Sequence, residues 1–386
     1  MIARVRKLRF HESKEKPEMK ERTEASRLLM SRSEFSDMRL ETLDAGPRAE
    51  DGEAVFRLGR FALTFNNVTY ATFGDALGYW DFFPVGNSGE AWGLLPVWGY
   101  ADVVESKVDG ITTGQRFYGY WPTASHVKLR PGKVGNRSFR DDAAHRADLP
   151  EIYNWYQRTD DDPFHDARTE PLHAIFRPLF VTAFCLADFL AENDFFGAER
   201  VVVSSASSKT GYAAAFCIRR HSDIEMIGLT SGGNRDFVES LGLYDKVLSY
   251  DDMRRLDAGT RTLYIDIAGN SELQADLHEH LGERLVYDCS VGSAQSLAPP
   301  SPRRDLPGPR PEFFFAPNWI AKRHKDWGVS EFTRRSGEAS AAFFGYVTDN
   351  ALVDLSEQSG LAAARDVLVE MIEGRTDPAK GHVIVL

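Results

Sequence analysis

A run of small hydroxyl residues set between a valine stretch and an alanine-rich one is the first candidate for chemistry. In VVVSSASSKTG, residues 201–211, Ala206, Ser208 and Gly211 fall on the spacing of the dinucleotide fingerprint GxGxxG. A loop of that kind holds a pyrophosphate on unpaired N–H groups and on the positive end of the helix that follows. Ser205, Ser207, Lys209 and Thr210 share the loop and join the nucleotide-binding candidates, with Lys209 adding charge near the pyrophosphate or standing solvated. Ser208-Lys209-Thr210 also looks like the end of a Walker A loop. That motif's two glycines would be Val203 and Ser208, so the backbone curl around a β-phosphate is hard to form.

Further along, GLTSGGNR (228–235) stands where an NAD-binding sheet carries Asp or Glu for the ribose 2′-OH. No acid is present. Ser231 and Arg235, with Asn234 between them, offer a donor and a cation, the pair that a 2′-phosphate and hence NADPH requires. A capped helix start with a solvated arginine is the plainer reading of the same residues.

Elements of definite type must position these groups. Three consecutive valines read as a strand buried on both faces, and YAAAFCIRR after the loop has helix-forming composition. IEMIGLTS, NRDFVESLG, YDKVLSY and TLYIDIAG then give strand, helix, strand and strand, and Gly269 closes the last of them beside the expected cofactor. This succession is half of a Rossmann doubly wound parallel sheet. RPLFVTAFCLADFLAEN (177–193) is a helix leading into it, Leu285–Val291 a fifth strand, and a Pro-rich loop runs from Pro299 to Pro311.

The first half of the chain has a different texture. Residues 1–35 are dense in charge and read as a mobile extension or irregular helix. From Phe56 to Val127 short strands alternate with Gly turns, as in FRLGRFALT, YADVVESKV and FYGYW. Between about 130 and 176 lie Arg137, Arg140, Asp141, Asp142, His145 and Arg146, then Tyr153 to Tyr156 and an acidic run, Asp160 to Asp162. Such an insert either covers a pocket as a lid or packs on itself at the surface.

Composition sets bounds. A net charge of −11 over 386 residues argues against a nucleic-acid surface. Cys185, Cys217 and Cys289 are far apart, which excludes a CxxC zinc lobe and argues against a disulfide framework. His278 and His280, two apart on a helix, cannot chelate one ion together. No apolar run reaches the roughly 18 residues of a membrane span, and the charged N-terminus lacks a signal-peptide core, so a soluble cytoplasmic protein is expected.

From about Phe56 onward the chain resembles the medium-chain dehydrogenase/reductase superfamily, in its zinc-free quinone and enoyl reductase branches. These often carry AxGxxG, matched at Ala206 and Gly211 and not at Ser208. NNVTY, LPVWGYADV, RPLFVTAF, SSASSKT and GLTS resemble a poorly characterised subfamily known as a domain of unknown function. The resemblance implies an α/β protein: a GroES-like partly open β-barrel over 36–176, a Rossmann domain over 177–345, and a return to the barrel over 346–386 ending in GHVIVL. It implies a sixth strand near FFFAPNWIAKR, often a dimer edge, and so a homodimer. It places Tyr250 beside Arg235 in the 2′-phosphate pocket. The GHE motif and cysteine ligands of the zinc members are missing. Enoyl reductases draw a proton from a tyrosine about a dozen residues beyond an N-x-x-D stretch. Here that stretch is Asn67 to Tyr70, making Tyr79 the donor candidate, Tyr70 the occupant of the Asp position and Asn67 a possible anchor.

The expected function is therefore an NADPH-dependent, zinc-independent reductase of an activated alkene, quinone or enoyl compound. Two other classes stay open: a nucleotide-binding relative with non-redox or oxygen-dependent chemistry on an aromatic or acyl substrate, and a non-catalytic relative that binds no nucleotide.

Overall fold

The computed structural model describes residues 24–86, 91–160, 162, 165–292 and 306–386. Its first element is β1 (Ala25–Ser31), a strand because Leu28, Leu29 and Met30 are apolar and become buried in the barrel core. It pairs antiparallel with β2 (Met38–Leu43). The expected charged extension over 1–35 is thus corrected from Ala25 onward; residues 1–23, which carry most of its charge, lie outside the described residues.

β3 (Ala54–Leu63) alternates as its sequence predicts, with Phe56 and Leu58 buried and Arg57 exposed. α1 (Phe65–Thr72) follows, then β4 (Trp92–Leu94), which closes a small sheet of order β2-β1-β4. β5 (Pro96–Ser106), β6 (Arg116–Pro122), β7 (His126–Leu129), β8 (Pro131–Gly132), β9 (Ser138–Asp141) and β10 (Trp155–Arg158) complete the first half. β10 pairs with both β6 and β9, and Phe139, Tyr153 and Tyr156 are buried in the barrel core. Phe139, Tyr153 and Tyr156 of the 130–176 insert thus fill the barrel and form neither a lid nor a surface excursion. Arg146 is buried with them, ion-paired to Asp141 at 3.0 Å and donating to the Tyr156 hydroxyl at 3.0 Å.

α2 (Glu170–Glu192) starts at Glu170 rather than at 177 and carries the chain into the second half. By length and composition alone it is apolar enough to cross a membrane, which amends the expectation that no segment approaches a span; 67% of its most apolar window is buried inside the protein. β11 (Arg200–Val203), α3 (Lys209–Arg219), β12 (Glu225–Thr230), α4 (Arg235–Ser240), β13 (Lys246–Ser249), β14 (Thr262–Asp266), α5 (Ser271–Leu281), β15 (Leu285–Ser290) and β16 (Glu312–Phe313) follow. The six strands are all parallel in the order β13-β12-β11-β14-β15-β16, the doubly wound order with β11 at the switch point. Val201 and Val203 face one apolar layer and Val202 the other, which is why the strand has no polar face.

α6 (Ala316–Trp327) and α7 (Val329–Asp349) pack on α2, so the helical layer runs past the expected boundary at 345. β17 (Asp354–Ser359), α8 (Gly360–Ile372) and β18 (Lys380–Val385) then return to the barrel, β18 lying antiparallel on β3 with His382 opposite Leu63.

The start of α2 is fastened by charge. Arg116 on β6 holds Asp102 at 2.8 Å through one nitrogen and both oxygens of Glu170 at 2.8 and 2.9 Å. Burial alone would raise the Glu170 carboxyl; Arg116 and then His165 outweigh it and hold the group below the usual range. A depressed carboxyl stabilises the fold above its unfolded pKa and loses that contribution as pH falls through the folded one. Arg116→Met is accordingly expected to cost about 3 kcal/mol at neutral pH, the scale of stranding one partner of a buried pair. The cost should shrink on acidification as Glu170 takes a proton. Urea unfolding at both pH values reads it, and a cost independent of pH would assign the loss to packing.

Candidate functional site

The turn after β11 is shaped by close approach. Ser205 adopts φ +49° and its N–H donates to the Tyr250 hydroxyl at 3.1 Å. Ala206 is fully buried, its N–H bonded to the Leu229 carbonyl at 3.0 Å. Ser208 caps α3, its Oγ accepting from the Gly211 N–H at 3.0 Å. A Cβ on Gly211 would lie 2.7 Å from the Ser205 carbonyl oxygen, so only glycine lets the first turn of α3 sit this near the loop. Gly228 makes the matching concession on β12, where a Cβ would lie 3.0 Å from that of Ala206. Alanine at the first fingerprint position is therefore accommodated by the neighbouring strand, and the loop keeps the course a fingerprint requires. Ser207 ties the loop to the end of β12, accepting from Thr230 Oγ1 at 3.2 Å and Asn234 Nδ2 at 3.3 Å.

In front of this loop, at the seam between the two halves, lies a cavity of about 380 Å³. Of the residues expected to hold a nucleotide, Ser205, Ser207, Ser208, Lys209, Thr210, Ser231, Asn234 and Tyr250 line it. Ala206 and Gly211 do not; they are scaffold behind it. Gly269 takes φ +64° and donates to Asp266 Oδ1 at 3.0 Å, shaping the turn after β14 without reaching the lining. Arg235 is exposed and ion-paired with Glu239 one helical turn on, at 2.8 Å, outside the lining. It lies one residue from Asn234 and would have to leave Glu239 to meet a phosphate.

The three residues expected to be catalytic are corrected by their surroundings. Asn67 is 3% exposed, its Oδ1 accepting from the Thr64 N–H at 2.9 Å and its amide donating to the Pro96 carbonyl at 2.9 Å. It is the third residue of α1, reaching back to the Thr64 cap in a capping box, and both ends of its amide are engaged inside the fold. Tyr70 accepts from Trp98 Nε1 at 2.8 Å, and Tyr79 shares a 3.2 Å hydrogen bond with Tyr153. The two rings pack on each other and edge-to-face on Tyr153, with Tyr70 also edge-on to Tyr120, and neither lines the cavity. The segment is aromatic because the barrel core is.

The barrel instead presents Thr64, Asn66, Thr69 and His382 to the cavity, and the loop before β18 adds Thr376, Asp377 and Pro378. These were missed, although a histidine in the otherwise apolar GHVIVL was a signal in plain view. Lys209 is not free beside a phosphate: its Nζ donates to the carbonyls of Pro378 at 3.1 Å and Lys380 at 2.6 Å, joining α3 to the returning chain. Desolvation lowers its pKa to about 8, the Asp377 charge opposing. His382 is 6% exposed, and neither ring nitrogen has a hydrogen-bond partner among the described residues. Burial first, then the Lys209 charge, hold it below the usual histidine range. Behind the cavity, burial pushes Asp266 up to about 6 although Ser204, Tyr264 and the Gly269 N–H all donate to it.

Comparisons with known proteins agree with this architecture. A family model described as "Protein of unknown function (DUF2855)" matches residues 61–377. CurA from Vibrio vulnificus, solved with NADPH, superposes with a TM-score of 0.57 at 13% identity over 93% of this chain and 98% of its own. YhdH oxidoreductase from Salmonella enterica, solved with NADP, gives 0.53 at 13% identity over 94% and 99%. Mycobacterial Rv1454c, complexed with NADPH, gives 0.55 at 15% identity over 94% and 100%. At these identities the likeness shows the fold alone, a GroES-like barrel with a Rossmann sheet. No curated protein matches the chain.

Placed in the core, Tyr79 gives a clear expectation. Tyr79→Phe should cost about 1 kcal/mol of stability, one neutral hydrogen bond, in urea unfolding. Nucleotide affinity should be unchanged; a loss of affinity would return Tyr79 to the cleft.

Proposed function

This chain belongs to the protein family DUF2855, of unknown function, and we propose that it is an NADPH-dependent oxidoreductase acting on a small molecule. The observation that carries the reading is the cavity at the switch point of the parallel sheet, lined on one side by the β11–α3 loop and on the other by the barrel. The N–H groups of the first turn of α3 would hold the pyrophosphate, save that of Gly211, already bonded to Ser208. Ser231, Asn234 and Tyr250 would meet the 2′-phosphorylated ribose, with Arg235 exchanging Glu239 for the phosphate. NADPH supplies a hydride; the protein aligns it, and Leu179, Ile267, Val291 and Met371 give that cavity apolar walls that exclude water.

The substrate class we favour is an activated alkene, quinone or enoyl-type compound. Zinc has no part in this reading: Cys185, Cys217 and Cys289 are buried, and among the described residues no group of three or more His, Cys, Asp or Glu is placed to hold a metal. A homodimer through the edge strand β16, where Phe313 is exposed, and a cytoplasmic location complete the proposal. One observation favours the contrary reading in which no nucleotide binds: Lys209 and one N–H of the first turn of α3 are already engaged within the chain.

A thermal-shift series with NADPH, NADH, ATP and no ligand separates the two. NADPH at about a hundredfold excess over Kd should add about 2.7 kcal/mol of stability. NADH should add less, and Arg235→Ala should narrow the difference by weakening NADPH alone. No shift with either nicotinamide nucleotide, or a larger one with ATP, would overturn the reading. With binding in hand, NADPH oxidation over enones, quinones and enoyl thioesters identifies the substrate class.

A further inference from the structure

The inner end of the cavity has a charge balance that the cofactor reading leaves unused. Lys209 brings an ammonium whose two hydrogen bonds go to neutral carbonyls, those of Pro378 and Lys380, and which keeps a third donor. No carboxylate forms an ion pair with it among the described residues. His382 stands on the neighbouring strand β18, nine-tenths buried, lining the same cavity with both ring nitrogens unpartnered. A buried imidazole left without partners loses its hydrogen bonds to water for nothing in return, unless a ligand supplies one. Thr64 and Asn66 add neutral polar groups to the lining from the barrel side. Asp377 lines the cavity and Glu370 acts on His382 from α8, so the field of Lys209 is moderated and not cancelled.

We propose that Lys209 and His382 form an oxyanion site, so that the ligand of the cleft carries an oxygen that bears or gains negative charge there, as the carbonyl of an α,β-unsaturated compound does. This rests on the function proposed above and selects within it: carbonyl-conjugated alkenes and quinones over alkenes activated by other means. Lys209 supplies the charge and His382 an N–H. The carbonyls of Pro378 and Lys380 hold the ammonium in place without neutralising it, as a carboxylate would. The low dielectric of a buried site strengthens attraction to an anion.

The test uses para-nitrophenol, whose phenolate and neutral forms differ in colour, titrated with the full chain with and without NADPH. The phenolate should bind roughly tenfold tighter than the phenol, lowering the bound probe's pKa by about one unit. Lys209→Met should abolish the preference, Lys209→Arg restore part of it, and His382→Gln reduce it; since Lys209→Met also removes a tie within the fold, a variant that fails to fold leaves His382→Gln and Lys209→Arg to decide. Equal affinity for the two forms, or a preference unaltered in His382→Gln, overturns the proposal. So does a preference lost in Arg235→Ala and kept in the Lys209 variants, which would put the anion at the nucleotide end. Failure of NADPH to bind while the phenolate preference holds would overturn the cofactor reading and leave the oxyanion site standing.

Discussion

The missing Cβ of Gly211 is the constraint from which the cleft follows. With 2.7 Å between that position and the Ser205 carbonyl, the first turn of α3 can be pressed against the loop that leaves β11. Ser208 then caps the helix and Lys209 becomes its first residue, aimed across the seam by the helix itself. Its ammonium reaches the carbonyls of Pro378 and Lys380, so the loop that would hold a phosphate also anchors the returning chain. A side chain at Gly211 would push α3 outward and disturb the turn and this tie together.

The long helix between the two halves is held by charged groups near both of its ends, to the barrel at its start and to α6 near its end. At its start Glu170 is held by Arg116 and His165; near its end Asp188 accepts from Trp319 at 2.7 Å and from Arg323 at 2.5 Å. The apolar surface of α2 is thereby committed to its neighbours along its whole length. That commitment explains how a helix apolar enough for a membrane can serve as the central strut of a folded protein.

Legibility in the sequence tracked how local each signal was. The parallel strands were readable because burial on both faces leaves β-branched runs such as Val201 to Val203, a pattern that needs no knowledge of the partner strands. The strand at Ala25–Ser31 was hidden because 24 residues rich in charge precede it and its pairing partners, β2 and β4, lie downstream. The insert deceived for a related reason. Tyr153 and Tyr156 beside charges resemble a lid by composition, and only the pairing of β10 with β6 turns them inward. The loop residues on the sheet side of the cavity were picked out by spacing, while its barrel side is built by His382, Thr64 and Asn66, which are far apart in the chain. Tyr79 marks the limit most clearly: a tyrosine at the right count from Asn67 is still a core residue when the ring stacks with Tyr70 and its hydroxyl meets Tyr153.

The location of uncompensated polarity separates the aromatic core of the barrel from the cleft. In the core cluster, Tyr79 is bonded to Tyr153, Tyr70 to Trp98, and Tyr156 to Arg146, whose charge is matched by Asp141. Burial pushes the phenols of Tyr70, Tyr79 and Tyr153 upward, which makes them poor proton donors near neutrality. Across the seam the balance is reversed: among the described residues Lys209 has no acidic group in contact and neither ring nitrogen of His382 has a hydrogen-bond partner. Tyr118, Tyr120 and Tyr212 also keep buried hydroxyls without a partner among the described residues, but of the unpartnered buried groups only those of His382 line the cleft. The cleft is where a ligand's charge would complete the structure.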